Sequence, residues 1–299
     1  MMWMNGEIQD TTTVAFNVAD RGLLLGDGLF ETLLVLGRVP FRLDAHLARL
    51  EAGATLLRLT VDMATARRAV TELAARLDDP SVIRLTVTRG VGPRGLAIPE
   101  KQSPTIFATS APWSAAGAFK PQHLRVSTIR RNDTSPSSGV KALPYLDNIL
   151  ALDGAVRAGA DDALLLSTRE TVACTAVANV FALVGHQLIT PPLDDGALPG
   201  TTRALLLALA PLCGLVPEER SLVLDDLRGA DAVFTTNSLR LIARAISLDG
   251  HAFSGHGSAS LIRLVQGLLT ALKGECGCDL PLPSVEERCK PAAASPSIR

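Results

Sequence analysis

The sequence predicts a two-domain α/β (α+β) protein, and three observations lead there. Segments patterned as strand and as helix alternate along most of the chain. Its 299 residues suffice for one or two domains with a large core. The stretch Ser114-Ala115-Ala116-Gly117-Ala118-Phe119-Lys120-Pro121 interrupts the alternation and reads as an interdomain linker. The expected division is a small first domain over residues 1–113, a linker over 114–121, a second domain over 122–273 and a tail over 274–299.

The first elements follow from local chemistry. Trp3 and Ile8 flank Asn5-Gly6, whose positive φ suits a hairpin over residues 2–9. The run from Asp20 to Thr32 holds Gly22, Gly26 and Gly28, so backbone in special conformations is expected. It lacks the Lys-Ser/Thr ending of a phosphate loop, so no nucleotide site is read there. Residues 29–39 continue as strand with a turn at Gly37-Arg38. Leu43, Leu47, Leu50, Ala54 and Leu57 recur at helical spacing, with Asp44 in the favourable first turn. His46 and Arg49 lie off the centre of that stripe. This suits a solvated edge, with Arg49 alternatively an anion ligand.

A second helix is expected over 63–77 and a strand over 82–88. The glycine-rich loop Arg89–Leu96 follows, carrying Arg89 and Arg94. Two guanidinium forks there would suit a carboxylate, or the loop is an ordinary basic tip. Strands are expected at 105–109 and 124–129, a helix after Pro144 to about Ala158, and strands at 162–167 and 177–184. His186 fills a turn. A helix over 203–214 opens on Leu198-Pro199-Gly200-Thr201-Thr202-Arg203. Hydroxyls and N–H groups at a helix start can bind an anion or merely cap the helix. Residues 232–235 form a strand ending in the polar turn Thr236-Asn237-Ser238-Leu239. A further strand (241–248) and a last helix (260–272) precede a tail rich in Pro, Ser and Ala.

Composition excludes several classes. Hydrophobic residues make up 47% and charged residues 20%, as in globular proteins. The net charge of −1 offers no electrostatic basis for nucleic acid or an anionic membrane surface. There is no apolar run of membrane-spanning length, and residues 1–10 do not read as a signal peptide, so a cytoplasmic protein is expected. Five cysteines, an odd number without zinc-site spacing, read as reduced thiols, and no metal site is expected.

One residue stands out for its chemistry. The chain has five lysines among 29 lysines plus arginines. Lys141 alone lies in a mainly apolar mid-chain run, Gly139-Val140-Lys141-Ala142-Leu143-Pro144. The single tyrosine, Tyr145, follows four residues later. Pro144 suits a first helical turn, which puts Lys141 on the preceding loop. A lysine, unlike an arginine, can lose its proton and act as a nucleophile.

Taken in order, these motifs resemble the class IV pyridoxal-phosphate enzymes of fold-type IV. That family includes branched-chain and D-amino-acid aminotransferases and aminodeoxychorismate lyases. The motifs are Gly26–Thr32, His46-Leu47-Ala48-Arg49-Leu50, Lys141 with Tyr145-Leu146-Asp147-Asn148, Ala178-Asn179-Val180-Phe181, Leu198–Arg203 and Thr236–Leu239. The resemblance covers Asn5 to about Leu272. It implies a small N-terminal and a larger C-terminal domain with pyridoxal 5′-phosphate in the cleft, and a homodimer acting on amino acids and 2-oxo acids. By position, Lys141 would form the Schiff base and carry the proton from the substrate Cα. Tyr145 would hydrogen-bond the cofactor's phenolic oxygen. Arg49, Thr201, Thr202 and Ser238 would hold the phosphate, and Leu239 would also contact the cofactor. Phe30 would line the substrate pocket, with Arg94 and, second to it, Arg84 as substrate carboxylate ligands.

One position departs from the pattern. The family carries a glutamate five residues before the Asn of Asn-x-Phe, facing the ring nitrogen of the cofactor. Here that residue is Cys174, and the glycine nine before is Glu170. A neutral thiol, with an ordinary pKa of about 8.5, would leave the nitrogen unprotonated, whereas a thiolate could pair with a protonated ring. The implied reaction is transamination. Pyruvate elimination from aminodeoxychorismate is the alternative, and a non-catalytic binding homologue is the third reading, against which the retained Lys141 counts.

Overall fold

A computed structural model describes residues 1–280, apart from positions 5, 12, 79 and 254–258. The hairpin's Asn5 and residues 281–299 of the expected tail lie outside the described residues. The chain packs as two units. The first comprises Met1–Ser114, Thr134–Leu146 and Ala271–Asp279. The second comprises, among the described residues, Ala115–Asp133, Asp147–Thr270 and Leu280.

In chain order, the first unit contains β1 (Met2–Met4), β2 (Glu7–Gln9), α1 (Arg21–Leu25), β3 (Gly28–Leu36), β4 (Val39–Pro40), α2 (Leu43–Leu56), α3 (Met63–Ala74), β5 (Ser81–Thr88) and β6 (Thr105–Pro112). Among the described residues the strands form one sheet in the order β2-β1-β6-β5-β3-β4, antiparallel throughout. Helices α2 and α3 lay their apolar stripes on it. Leu47, Leu50 and Ala54 of α2 and Ala66, Val70 and Leu73 of α3 are buried with Trp3, Leu33, Ile83 and Leu85. Asp62 caps α3 by accepting from Ala64 N (3.0 Å). That helix ends at Ala74 rather than 77.

The second unit contains β7 (Gln122–Val126), α4 (Leu146–Arg157, beginning on the last residue of the first unit), β8 (Asp162–Leu166), β9 (Val172–Thr175), β10 (Asn179–Val184), β11 (Gln187–Thr190), α5 (Thr201–Leu209), β12 (Val216–Glu219), α6 (Leu224–Arg228), β13 (Ala232–Asn237), β14 (Leu241–Leu248), β15 (His251–Ala252) and α7 (Ala259–Cys276, whose residues from Ala271 on belong to the first unit). Its strands run β12-β11-β10-β13-β14-β7-β8-β9, with β15 on β14. The β14–β7, β7–β8 and β11–β12 pairs are parallel, so the sheet is mixed. Phe181 and Phe234 stack across β10 and β13 with ring centres 5.1 Å apart.

Further sequence expectations shift. The helix expected over 203–214 stops at Leu209, because Pro211 cannot continue it and opens a short 3₁₀ turn instead. The last helix extends to Cys276, beyond the expected tail start at 274, and Glu275 on its last turn accepts from Arg42 N (2.7 Å). Residues 134–146, expected in the second domain, pack in the first unit, because Lys141–Leu143 bonds along β3. No helix among the described residues is long and apolar enough to cross a membrane.

Candidate active site

Strand β3 and the segment after residue 139 build the surroundings of Lys141. Phe30 N donates to Lys141 O (3.0 Å), and Leu143 N donates to Gly28 O (3.0 Å). The lysine backbone is therefore held as if in an extra strand. Gly28 is required there, since a Cβ would lie 2.4 Å from Val87 O and 2.8 Å from Leu143 Cδ1. Lys141 Nζ donates to Tyr145 OH at 3.3 Å and lies 4.2 Å from the centre of the Phe30 ring. Phe30 and Tyr145 meet edge to face at 5.2 Å. Arg84 places its guanidinium carbon 3.6 Å from the same Phe30 ring centre. Partial burial draws the Arg84 guanidinium somewhat below its ordinary range, with Tyr145 opposing the shift.

On the other side of β3, Glu31 is buried at 1% exposure. It accepts from Arg49 Nε (2.8 Å) and Nη2 (2.5 Å), and contacts His46 Nδ1 at 2.6 Å. Burial alone would raise the Glu31 carboxyl, but the Arg49 charge and these hydrogen bonds hold it at about 2. The ionised carboxylate can only accept, so His46 Nδ1 carries the proton and donates. Burial draws the His46 imidazole below its ordinary value despite Glu31, so the ring is neutral. The charges of Arg49 and Lys141 act in the same direction.

In the second unit, α5 begins at Thr201 and Thr202, both buried, after Gly200. Asn179 Nδ2 donates to Leu198 O (2.8 Å), and a Cβ on Gly200 would lie 2.0 Å from Asn179 Oδ1. Asn179 thus fixes the approach to the helix, and only glycine fits beside it. Thr201 Oγ1 lies 3.4 Å from Ser238 Oγ. The Ser238 turn is held by Asn237 Oδ1, which accepts from Leu239 N (2.9 Å) and Arg240 N (2.7 Å). Arg240 in turn bonds Asp162 Oδ2 (3.1 Å) at 0% exposure of that carboxylate.

Most sequence-derived candidates come together within one unit or the other. Lys141, Tyr145, Phe30 and Arg84 form one cluster, and Thr201, Thr202 and Ser238 another. Leu239 stands beside the second, but its N–H is engaged by Asn237. Arg94 stands exposed in the 89–96 loop, which Arg21 clamps through Gly95 O (2.9 Å), and no contact to the Lys141 cluster is seen among the described residues. His46 and Arg49 do not form a solvated edge: His46 is 1% exposed, because both face the Glu31 carboxylate. Cys174 packs among Ala151, Ala155, Ala163 and Leu165. Burial pushes its thiol up, Arg131 opposes, and Asp162 adds to the rise. Cys174 is therefore a neutral thiol. No metal-binding cluster occurs among the described residues. Sequence reasoning overlooked Glu31, whose signal is a carboxylate inside the strand GLFETLLVL, apolar but for Thr32 beside it.

The amine beside a phenol suits an aldehyde, and clustered hydroxyls at a helix start suit a phosphate. Each donor set by itself thus suits one part of a phosphorylated aldehyde cofactor. Comparison with known proteins agrees. Residues 28–248 match the family described as amino-transferase class IV, and the chain belongs to that family. A putative branched-chain-amino-acid aminotransferase of Methanocaldococcus jannaschii is 32% identical over 257 residues, covering 85% of this chain and 89% of that one. An aminodeoxychorismate lyase of Bacillus subtilis is 28% identical over 252 residues, covering 80% and 83%. Among solved structures, a 4-amino-4-deoxychorismate lyase of Pseudomonas aeruginosa superposes with a TM-score of 0.80 at 31% identity, covering 89% of this chain and 97% of that one. A PLP-bound hypothetical aminotransferase of Mycobacterium tuberculosis gives 0.80 at 26% identity, covering 90% and 99%. The protein is an enzyme of a pyridoxal-phosphate-dependent family.

Proposed function

We propose that this chain is a pyridoxal-phosphate-dependent aminotransferase that moves an amino group between an amino acid and a 2-oxo acid. The observation that carries this reading is Lys141 Nζ, held over Phe30 and 3.3 Å from Tyr145 OH on a backbone pinned to β3. Pyridoxal phosphate, when bound, supplies an aldehyde for amines and a ring that withdraws electrons from the substrate Cα. Lys141 would hold the cofactor through its Nζ, and the same amine, when free, would take the proton from the substrate Cα. Tyr145 OH accepts from that amine and would offer its own hydrogen to the phenolic oxygen. By the family pattern, Thr201, Thr202 and Ser238 would offer hydroxyl and N–H donors to the phosphate, and Arg49 would be its cation.

Arg84, rather than Arg94, is the favoured carboxylate ligand, because it shares the Phe30 ring with Lys141. The exposed side chains Leu23, Leu24, Leu25 and Leu96 support a covered face and hence a homodimer. The buried thiols of Cys174 and Cys213 suit a cytoplasmic enzyme.

A second reading, aminodeoxychorismate lyase, is favoured by one feature. Cys174 stands where the family pattern has a glutamate, and its neutral thiol would not protonate the ring nitrogen. Elimination of pyruvate needs no second half-reaction. A coupled assay separates the two. Amino-group transfer from L- or D-amino acids to 2-oxoglutarate or pyruvate supports the first. Pyruvate and 4-aminobenzoate from aminodeoxychorismate, without amino-group transfer, overturn it.

A further inference from the structure

We infer that Glu31 is a positioning residue that aims the Arg49 guanidinium at the phosphate of the cofactor. The inference rests on the cofactor reading above and adds a residue to it.

The strand itself raises the question. In β3, every residue but Thr32 is buried, and the strand is paired on one edge with β5 along its length. A leucine at position 31 would fill the core at no electrostatic expense. A carboxylate at 1% exposure is tolerated only if its oxygens are fully bonded. Glu31 meets that condition with three N–H donors, two of them from one guanidinium.

The geometry of those bonds has a direction. Residues three apart on a helix share a face, so α2 presents His46 and Arg49 to one carboxylate. Both oxygens engage Arg49, Oε1 from Nε and Oε2 from Nη2. Such a two-point fork fixes the plane of the guanidinium and the heading of its remaining N–H bonds. An arginine with four free torsions is thereby reduced to one pose. His46 closes the other side of Oε2 and is neutral, so the triad carries one negative and one positive charge. The triad would therefore recognise a phosphate by aimed N–H groups rather than by excess charge. It also lies close to the amine: the Lys141 charge acts on His46, and Phe30, next to Glu31, touches Lys141 Nζ.

The test uses the apo-protein and two probes that differ only in the phosphate, pyridoxal 5′-phosphate and pyridoxal. Equilibrium binding of each is measured for the wild type, Glu31→Gln, Arg49→Ala and the double variant. Glu31→Gln should weaken pyridoxal 5′-phosphate by about ten- to a hundredfold, the range for an aimed charge-assisted bond. Pyridoxal should change by less than about threefold, since it lacks the group Arg49 holds. The double variant should lose no more than Arg49→Ala alone, because both changes remove one unit. Glu31→Asp keeps the charge but withdraws the carboxylate. It should show the same phosphate-specific loss at smaller size, and it carries the test if Glu31→Gln does not fold. Equal weakening of both probes, or additive losses in the double variant, would mean a purely structural Glu31 and overturn the inference. So would unchanged binding. A wild type that binds neither probe defeats the cofactor reading itself. A normal wild type with unaltered Glu31 variants defeats this inference alone.

Discussion

Glu31→Gln should also remove a pH dependence of folding stability, and its size follows from the carboxyl's surroundings. Arg49 and His46 hold Glu31 at about 2, against 4.5 for an ordinary glutamate. At about 1.4 kcal/mol per pKa unit, the native bonds to the ionised form contribute about 3 kcal/mol. The group is depressed, so its contribution is present in full above the unfolded value of 4.5. It is lost as pH falls toward the folded value of about 2. Urea unfolding of the wild type and Glu31→Gln from about pH 7 to about pH 3 isolates the group, because the other carboxyls are common to both. The stability gap should be constant above about pH 5 and shrink by about 1.4 kcal/mol per pH unit below about 4.5. A gap that stays level, or widens, between about pH 5 and pH 3 would refute the ionised, arginine-bound Glu31.

Two glycines give steric predictions. Gly26 has φ 66° and its Cβ would lie 2.7 Å from Pro144 Cγ, so Gly26→Ala should cost about 1–3 kcal/mol in unfolding free energy. Gly200→Ala would place a methyl 2.0 Å from Asn179 Oδ1, and it should weaken binding of pyridoxal 5′-phosphate by displacing the start of α5. Unchanged binding would separate α5 from the phosphate. For the substrate, Arg84→Ala should raise KM for amino and 2-oxo acids by about tenfold or more, as expected for a lost charge-assisted bond, while Arg94→Ala should leave KM nearly unchanged. The opposite order would return the carboxylate to the 89–96 loop.

Local signals made much of this legible. Lys141 stood out by scarcity among the cations, by its apolar setting and by the lone Tyr145. The stripe Leu47, Leu50 and Ala54 located α2, and the glycines of the 26–28 stretch announced a backbone that side chains would block. What depended on distant pairing was not legible. Glu31 has its partners 15 and 18 residues away, so the helical pattern alone gives His46 and Arg49 as an exposed edge. The placement of Lys141 in the first unit follows from hydrogen bonds to Gly28 and Phe30, which no local pattern around residue 141 reveals. The composition from Gly274 on reads as a tail, yet α7 passes through that glycine, since one glycine costs a helix only about 1 kcal/mol. Cys174 was located by its spacing from Asn179, but its neutrality follows from the alanines packed around it.

The central claim is that Lys141, and no other lysine, holds the cofactor. Reduction of the protein loaded with pyridoxal 5′-phosphate by borohydride, followed by peptide mass spectrometry, tests it directly. The expected result is a stable pyridoxyl adduct on the peptide containing Lys141, absent from Lys141→Ala with its fold intact. An adduct on Lys101, Lys120, Lys273 or Lys290 instead, or no adduct on any peptide, would contradict it.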